Sequence, residues 1–314
     1  MTRTLASAIT KAASTQTWLT IRLLVDRARV EDAYRAYAYY RWVDDVLDAV
    51  TTTGWAHAED ERRVRARFLD RQKALLAASL DGVLPADVDP HERLLVDLVR
   101  RRDAADGGLE SYLRTMMRVM EFDVGRRGRL VSRQELDEYT RWLAIAVTDA
   151  MHHFVGHDDP TPADDRRYLA VTGAHIVHML RDTFADLEAG YFNVPREVLE
   201  AASIGPRDVQ CDAYRAWVRD RAQQARVALD GGRAFYARIP SARHRLAGLA
   251  YIARFERVLD RIERDEFRIR REYSERRRLS AAVSMAGSVA LALLPRPHPR
   301  DAARPLEPAR HRPS

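Results

Sequence analysis

The chain has 314 residues, 46% of them hydrophobic, and its 52 lysines and arginines against 46 aspartates and glutamates give a formal net charge of +6. The apolar fraction is enough to bury a sizeable core. The basic residues are mostly arginines that alternate with acids along helix-forming runs. No aromatic-interleaved basic pattern accompanies them, so we exclude nucleic acid as a partner.

Long runs rich in Ala, Leu, Arg and Glu predict an all-α fold, and we see neither strand–helix alternation nor a Gly-rich nucleotide loop. We predict one helical domain over residues 13–294, preceded by an extension at 1–12 and followed by a disordered tail at 295–314 that is rich in Pro and Arg. The single cysteine, Cys211, excludes an intrachain disulfide and fits a reducing compartment. Because the N-terminus also lacks the apolar core of a secretory signal, we predict a cytoplasmic protein.

The first notable motif is the aspartate pair Asp44 and Asp48 in YRWVDDVLD. Positions i and i+4 are neighbours on a helix, so both carboxylates can face one hard cation. At about 100° per residue, Asp44 falls inside an apolar stripe and Asp48 at its edge, whereas Asp45 falls outside. Burying an unpaired carboxylate is costly, so this position favours a metal site over the alternative, a structural ion pair. The stripe consists of Ala33, Ala36, Tyr37, Tyr40, Val43 and Leu47.

A second pair, Asp182 and Asp186, has the same spacing in HMLRDTFAD. With His175 and His178 it forms a polar stripe about 100° from the apolar one. Taken alone, that pattern predicts an ordinary solvated helix face. The apolar stripe of this helix consists of Ile176, Met179, Leu180, Thr183 and Leu187.

Together with these motifs, several further blocks carry a family resemblance. The chain resembles the squalene/phytoene synthases, the head-to-head branch of the all-α isoprenoid synthases, over roughly residues 10–275. The order and spacing of the blocks agree with that family. Besides the two Asp motifs, the matching blocks are STQTWLTIRLL, the stretch around Phe122 and Asp123, QELDEYTRW, the run from LRD to YFNVP, GGRAFYARIP and YIARFERVLDRIERDEF.

The resemblance implies a single helical bundle of the isoprenoid-synthase type around a central cavity. It also implies a Mg²⁺-dependent transferase, with Mn²⁺ as a substitute. Such an enzyme couples two farnesyl or geranylgeranyl diphosphates through a cyclopropylcarbinyl diphosphate to a squalene- or phytoene-type hydrocarbon and releases diphosphate. Squalene formation in this family also needs NADPH, and we identify no site for it. The implied metal ligands are Asp44, Asp48, Asp182 and Asp186, and the implied diphosphate contacts are Arg41, Arg181, Thr15 and Thr17.

An apolar cavity between helices has to keep water from the carbocation that forms when the diphosphate leaves. Aromatic faces attract cations, so tyrosines near the cavity are candidates for orienting or stabilising the intermediate, with an ordinary core position as the alternative for each. The candidate lining residues are Trp18, Leu143, Ala144, Val147 and Phe184, and the candidate tyrosines are Tyr40, Tyr139, Tyr236 and Tyr251.

Three departures from the family pattern bear on the reaction. In LAIAVT, Ile145 and Thr148 replace two glycines, which predicts a shorter or bent cavity. This would suit an alternative function, a lyase acting on one prenyl diphosphate.

His175 and His178 replace amides. His178 precedes Asp182 by one turn and is a candidate for orienting phosphate, although magnesium disfavours nitrogen ligands. Ser-x-Ser-Phe has become Thr-Gln-Thr-Trp. A non-catalytic scaffold is a further alternative, against which the retained aspartates argue.

Two further segments have competing interpretations. Ala281–Leu294 is apolar but shorter than the 18 or so residues that span a bilayer, which favours a final core helix over the alternative, a peripheral membrane contact. The cluster of His153, His157 and Asp158 would suit a transition-metal phosphohydrolase. The partner positions that such a site needs are not evident, so we interpret the cluster as a surface feature.

Overall fold

The computed structural model describes residues 2–49, 58–83, 87–102, 107–156 and 164–273. Within these ranges the chain is helical and contains no strand, which confirms the predicted all-α fold. The helices are α1 (Thr2–Ala13), α2 (Thr15–Leu24), α3 (Val30–Ala49), α4 (Ala58–Leu80), α5 (Glu92–Arg100), α6 (Gly107–Arg126), α7 (Arg133–Val155), α8 (Leu169–Arg181), α9 (Thr183–Ala189), α10 (Arg196–Ala202), α11 (Asp212–Tyr236) and α12 (Ala242–Arg264).

Side-chain caps explain where several of these helices begin. Ser132 accepts a hydrogen bond from the Glu135 amide, and Glu135 accepts one from the Ser132 amide, so a full capping box starts α7. Ser14 and Ser241 cap α2 and α12 in the same way, each accepting from an amide three residues on. Such caps satisfy backbone donors that the first turn of a helix leaves without a partner.

The buried residues form two main clusters. The first joins α1 to α7 and includes Tyr39, Leu94 and Leu113, and the second joins α8 to α12 and includes Leu180 and Leu229. Met151 of α7 packs against both, so this helix connects the two halves of the core. Residues 1–12, assigned from the sequence to an extension, contribute most of α1, and this helix buries Ala6 in the first cluster.

Helices α8 and α11 approach each other closely through glycine. A Cβ atom on Gly232 would lie 2.6 Å from the Ala170 backbone, and one on Gly173 would lie 2.9 Å from the Ala225 carbonyl oxygen. Distances this short are sterically forbidden, so only glycine fits at either position. This contact fixes α8, which leads into the second aspartate motif, against the C-terminal half of the bundle.

No helix in the described ranges is long and apolar enough to cross a bilayer. The segment Ala281–Leu294 and the predicted tail at 295–314 lie outside these ranges.

Candidate active site

The first aspartate pair lies on α3 at the margin of a buried face. Val43 and Leu47 are buried, whereas the Asp44 side chain is 41% exposed and Asp48 is exposed. Arg41 lies 3.3 Å from Asp44 and also hydrogen-bonds Asp45. The apolar stripe is thus present, but both carboxylates face solvent more than the periodicity predicts.

The environment of Asp44 nevertheless penalises its charge. Partial burial and the neighbouring Asp48 raise the pKa of Asp44 to about 6, although Arg41 acts in the opposite direction. A carboxyl group with too little positive charge around it is a suitable ligand for a cation.

The second pair lies where a helix is interrupted. Helix α8 ends at Arg181, Asp182 has φ −94° and ψ 9°, and α9 begins at Thr183. The helical hydrogen bonds continue across this point, because the Asp182 amide donates to His178 and the Asp186 amide to Asp182. The helix is therefore interrupted at Asp182 while its hydrogen bonds on both sides of this residue are kept.

Asp182 is held by two basic side chains. Arg181 Nε and His178 Nε2 lie 2.6 Å and 2.8 Å from its oxygens. Burial alone would raise the pKa of Asp182, but these hydrogen bonds and charges outweigh it and hold the pKa far below its ordinary value. The pKa of Asp182 is thus shifted in the opposite direction to that of Asp44.

A buried arginine connects the second pair to α6. Asn193 donates to Asp186 Oδ2 at 2.6 Å, and Arg126 Nη1 donates to Asn193 Oδ1 at 2.8 Å. Arg126 Nε donates at 2.7 Å to Asp123, which also accepts from the Tyr139 hydroxyl at 3.0 Å. Residues from α6, α7 and the segment after α9 therefore position Asp186.

The two pairs face a common neighbour. Asp123 lies close enough to raise the pKa of both Asp44 and Asp186. The hydroxyl of Tyr191 lies 3.4 Å from Asp48, and the Arg126 guanidinium lies 4.7 Å from the Tyr191 ring centre. Helix α3 and the α8–α9 junction thus share one site, whose floor is Asp123 and Arg126.

The environment of Asp186 also penalises its charge. Burial, Asp182 and Asp123 raise the pKa of Asp186 to about 7, although Asn193 and Arg126 act against this shift. Carboxylate and amide oxygens are the ligands that Mg²⁺ prefers, so the donor set fits this ion. In the described part of the chain, however, no group of three or more acidic, His or Cys side chains converges on one point as a metal cage does. The paired carboxylates therefore fit Mg²⁺ ions whose remaining ligands are oxygens from other groups, which is how proteins usually bind Mg²⁺.

The chain matches a family model over most of its length. Residues 10–282 match the family model described as squalene/phytoene synthase. The chain belongs to this family. It is accordingly a prenyl-transferring enzyme, as the resemblance implied. No curated protein matches the chain in sequence.

Solved structures share the fold of this synthase. It aligns with the squalene synthase HpnC from Alicyclobacillus acidocaldarius at a TM-score of 0.63 and 18% identity, covering 86% of this chain and 95% of the other. A dehydrosqualene synthase in complex with ligand aligns at a TM-score of 0.67 and 15% identity, covering 93% of this chain and 96% of the other. At such low identity these alignments show the shared architecture.

Thr17 of α2 interacts with Tyr37, which lies near Arg41 and near Asp44 of the first pair. The Thr17 hydroxyl bonds Ser14 Oγ at 2.9 Å and also interacts with the Tyr37 hydroxyl, which Arg41 and Arg254 approach. Thr15 is exposed. Trp18 donates to Ser7 and lies beneath the cations of Lys11 and Arg22, each 5.2 Å from its ring centre.

The synthase contains five site residues that the sequence analysis did not assign to the site. They are Tyr37, Asp123, Arg126, Tyr191 and Asn193. The sequence contained some signals for them: Tyr37 precedes Arg41 by one turn, Arg126 follows Asp123 at i+3, and Asn193 lies in the YFNVP block. Their partners lie far apart in sequence, so no single-helix pattern reveals the network.

The predicted residues of α7 do not share one environment. Tyr139 stacks on Phe122 at 4.8 Å in the site, and Leu143 packs against the first core cluster. Ala144 instead lines a separate cleft that contains none of the four aspartates. Val147 is half-buried.

Ile145 and Thr148, which stand where the family has glycines, differ in burial. Ile145 is half-buried, whereas Thr148 is fully buried and its hydroxyl has no hydrogen-bond partner among the described residues. The predicted effect of these two residues on cavity shape stays a prediction.

The other aromatic candidates lie mostly in core positions. Tyr40 is buried against Tyr112 and donates to the Leu113 carbonyl at 2.5 Å. Tyr236 is fully buried and its hydroxyl lies 3.9 Å from Met151 Sδ. Tyr251 packs on Phe255. Phe184 lies 4.8 Å below the Arg271 guanidinium.

The histidines also differ from expectation. His175, assigned to a solvated stripe, is 5% exposed and packs on the Tyr139 ring at 5.0 Å. Burial keeps its pKa far below the ordinary value, so the ring is neutral. The solvated-face interpretation is wrong at this position, because α7 covers it. His153, interpreted from the sequence as part of a surface feature, is instead buried and bonds Arg29, so that interpretation is wrong at this position. His157 and Asp158 lie outside the described residues.

Proposed function

We propose that this family member is a Mg²⁺-dependent transferase that couples two farnesyl or geranylgeranyl diphosphates head to head to a squalene- or phytoene-type hydrocarbon. The observation that carries the proposal is the site between α3 and the α8–α9 junction, where burial and neighbouring acids raise the pKa values of Asp44 and Asp186 to about 6 and 7. Such a site gains most from bound divalent cations, and diphosphate is the substrate group that brings them.

The four aspartates Asp44, Asp48, Asp182 and Asp186 would hold the metal ions. Bound Mg²⁺ would supply the positive charge that makes diphosphate a good leaving group. The side chains of the protein would supply the remaining interactions with the departing diphosphate. Charge on the leaving oxygens has to be matched by donors that are already in place, since solvent is excluded from the reacting carbon.

Arg41 and the hydroxyls near it are the diphosphate donors that we assign. The Arg41 side chain is 40% exposed and is shared between Asp44 and Asp45, so it can turn toward a ligand without leaving a buried acid unpaired. Thr17 and Tyr37 place two hydroxyls beside it. Arg181, 7% exposed and bound to Asp182, orients that carboxylate.

The aromatic wall behind Asp123 would shelter the carbocation. Phe122 stacks on Tyr139 and lies 6.1 Å from Trp142, which makes a surface of π faces next to the acids. Such faces attract a cation without acting as nucleophiles. The Tyr139 hydroxyl donates to Asp123, and this bond fixes the ring.

The test is a product analysis. Purified protein is incubated with Mg²⁺ and farnesyl or geranylgeranyl diphosphate, with and without NADPH, and released diphosphate and hydrocarbons are measured. A C30 or C40 product is expected, and dependence of the product on NADPH would establish the reductant. A C15 or C20 product would replace the coupling proposal with the lyase alternative. No turnover of any prenyl diphosphate would favour a scaffold.

A further inference from the structure

A second cleft lies between α7, α8 and α11, apart from the aspartates. Its volume is about 310 Å³, near the lower end of the range of roughly 300–1,000 Å³ for small-molecule sites. Ala144 and Ile176 contribute an apolar floor, and Tyr168 adds an aromatic side chain. The cleft can therefore hold a small molecule with a short apolar group.

Two arginines line this cleft without an acidic partner. Arg221 on α11 is half-buried, and its one hydrogen bond goes to the neutral Gln224 at 2.8 Å. Arg141 on α7 makes neither an ion pair nor a hydrogen bond within the described ranges. The acid Asp137 also lines the cleft and interacts with Arg221 through space, but is not within ion-pair distance of either arginine.

An arginine that loses water without gaining a carboxylate is destabilised. Burial accordingly lowers the pKa of Arg221, and the nearby Arg133 adds to the effect while Asp137 opposes it. On the same helix, by contrast, the half-buried Arg226 is paired with Asp260 and Glu263. An unpaired guanidinium in a cleft is therefore a site prepared for an external anion, because its fork of donors fits phosphate oxygens.

We propose that the cleft between α7, α8 and α11 binds a small phosphate- or diphosphate-bearing molecule with a short apolar group, through Arg141 and Arg221. Two cations against one exposed acid favour a ligand with more than one negative charge. Both walls also serve the candidate active site, because α7 carries Tyr139 and α8 leads into Asp182. The proposal is independent of the function proposed above.

Calorimetric titration with EDTA present would test the site, because chelation removes metal-dependent binding at the aspartates. The probes are dimethylallyl diphosphate, which has a short apolar group, and inorganic diphosphate, which has none. We expect wild-type protein to bind both at millimolar or lower concentration, and dimethylallyl diphosphate at least threefold more tightly. No binding of either probe would overturn the proposal. Equal affinities for the two probes would overturn the inference that the cleft binds a short apolar group.

Variants identify the site. Arg221→Gln and Arg141→Gln should each weaken binding at least tenfold, and Arg221→Lys should retain more of it than Arg221→Gln. Arg219→Gln is the matched control, since this arginine lies on the same helix with its guanidinium 5.3 Å from the Phe267 ring centre. Loss of binding in Arg219→Gln, or unchanged binding in both Arg221→Gln and Arg141→Gln, would place the anion elsewhere.

Discussion

The two aspartate pairs have the same spacing but different surroundings. Asp44 and Asp48 lie on an unbroken helix, near solvent, with one flexible arginine beside them. Asp182 and Asp186 lie across a helix interruption and are held by Arg181, His178 and Asn193. The first pair is thus free to adjust to a ligand, whereas the second is fixed before any ligand arrives.

This difference shows how little i, i+4 spacing says about a site. Spacing places two carboxylates on one side of a helix. Their protonation depends on burial and on the neighbours of each carboxylate. Arg181 and His178 of the same helix hold the pKa of Asp182 far below its ordinary value, whereas burial, Asp182 and Asp123 raise the pKa of Asp186 to about 7. The following predictions test whether the two pairs act together and whether the second is the more rigid.

The largest expected effect is on catalysis. Asp44→Asn and Asp182→Asn should each lower prenyl diphosphate consumption on the order of 10²–10³-fold, as loss of one preorganised charge at a developing anion does. Asp45→Asn is the matched control for the first pair, because Asp45 also pairs with Arg41 but is 53% exposed and off the buried face. It should keep activity within about twofold of wild type. Equal losses in Asp44→Asn and Asp45→Asn would show that α3 supplies general charge and no specific ligand.

The next largest effect concerns folding. Arg126→Met removes a cation that is 6% exposed and leaves Asp123 without its ionic partner. We expect a loss of about 3–5 kcal/mol in the free energy of unfolding, as for a broken buried pair. Arg114→Gln, which breaks an exposed pair with Glu110, should cost under about 1 kcal/mol. Urea unfolding of both variants measures the contrast, and similar midpoints would mean that the second pair is not anchored through Arg126.

A smaller effect concerns pH. The folded-state pKa of Asp186 is raised to about 7, above its ordinary value of 3.8, so its ionised form destabilises the fold. That cost is absent below about pH 4 and complete above about pH 7. Asp186→Asn keeps an oxygen for Asn193 but removes the charge. In EDTA we expect it to be more stable than wild type by about 1–3 kcal/mol at pH 8.

The unfolding free energies of wild type and Asp186→Asn should become equal as the pH falls toward 4. Groups that do not interact with residue 186 affect both proteins equally, so the difference between their unfolding free energies reports residue 186 together with the acids coupled to it, Asp182 and Asp123. A constant difference at all pH values would contradict the raised pKa. Mg²⁺ and inorganic diphosphate should narrow the difference at pH 8 by stabilising the wild type.

Sequence reasoning succeeded where a feature depends on one helix. The buried stripe of α3 contains Ala33, Ala36, Val43 and Leu47, as the periodicity predicts. It failed where another element decides the outcome. His175 lies on a polar stripe by pattern but is covered by Tyr139, and the bond between Arg126 and Asn193 spans 67 residues.

The interruption at Asp182 also escaped the sequence reasoning, although the contacts of Asp182 are local. The residues around it, LRDTFAD, are compatible with a continuous helix, and the backbone hydrogen bonds persist on both sides. What distinguishes Asp182 is its hydrogen bonding to Arg181 and His178. Periodicity contains no information about such a contact, because it assumes an unbroken helix.

The smallest predicted effect compares two tyrosines that donate to acids of the site. Tyr139 is buried and lies 3.0 Å from Asp123, whereas Tyr191 lies 3.4 Å from the exposed Asp48. Tyr139→Phe leaves a buried acceptor with one donor fewer and should cost about 1–2 kcal/mol of stability. Tyr191→Phe keeps the ring beneath Arg126 and should cost less than about 0.5 kcal/mol.

Thermal denaturation of both phenylalanine variants measures this difference. If the first pair is the adjustable one, Tyr191→Phe should change the Mg²⁺ concentration for half-maximal activity by less than about threefold, because a long hydrogen bond to an exposed acid holds little energy. A larger change would mean that Tyr191 fixes Asp48 as firmly as Asn193 fixes Asp186. The two pairs would then be equally preorganised, and the contrast between them would not extend beyond their burial.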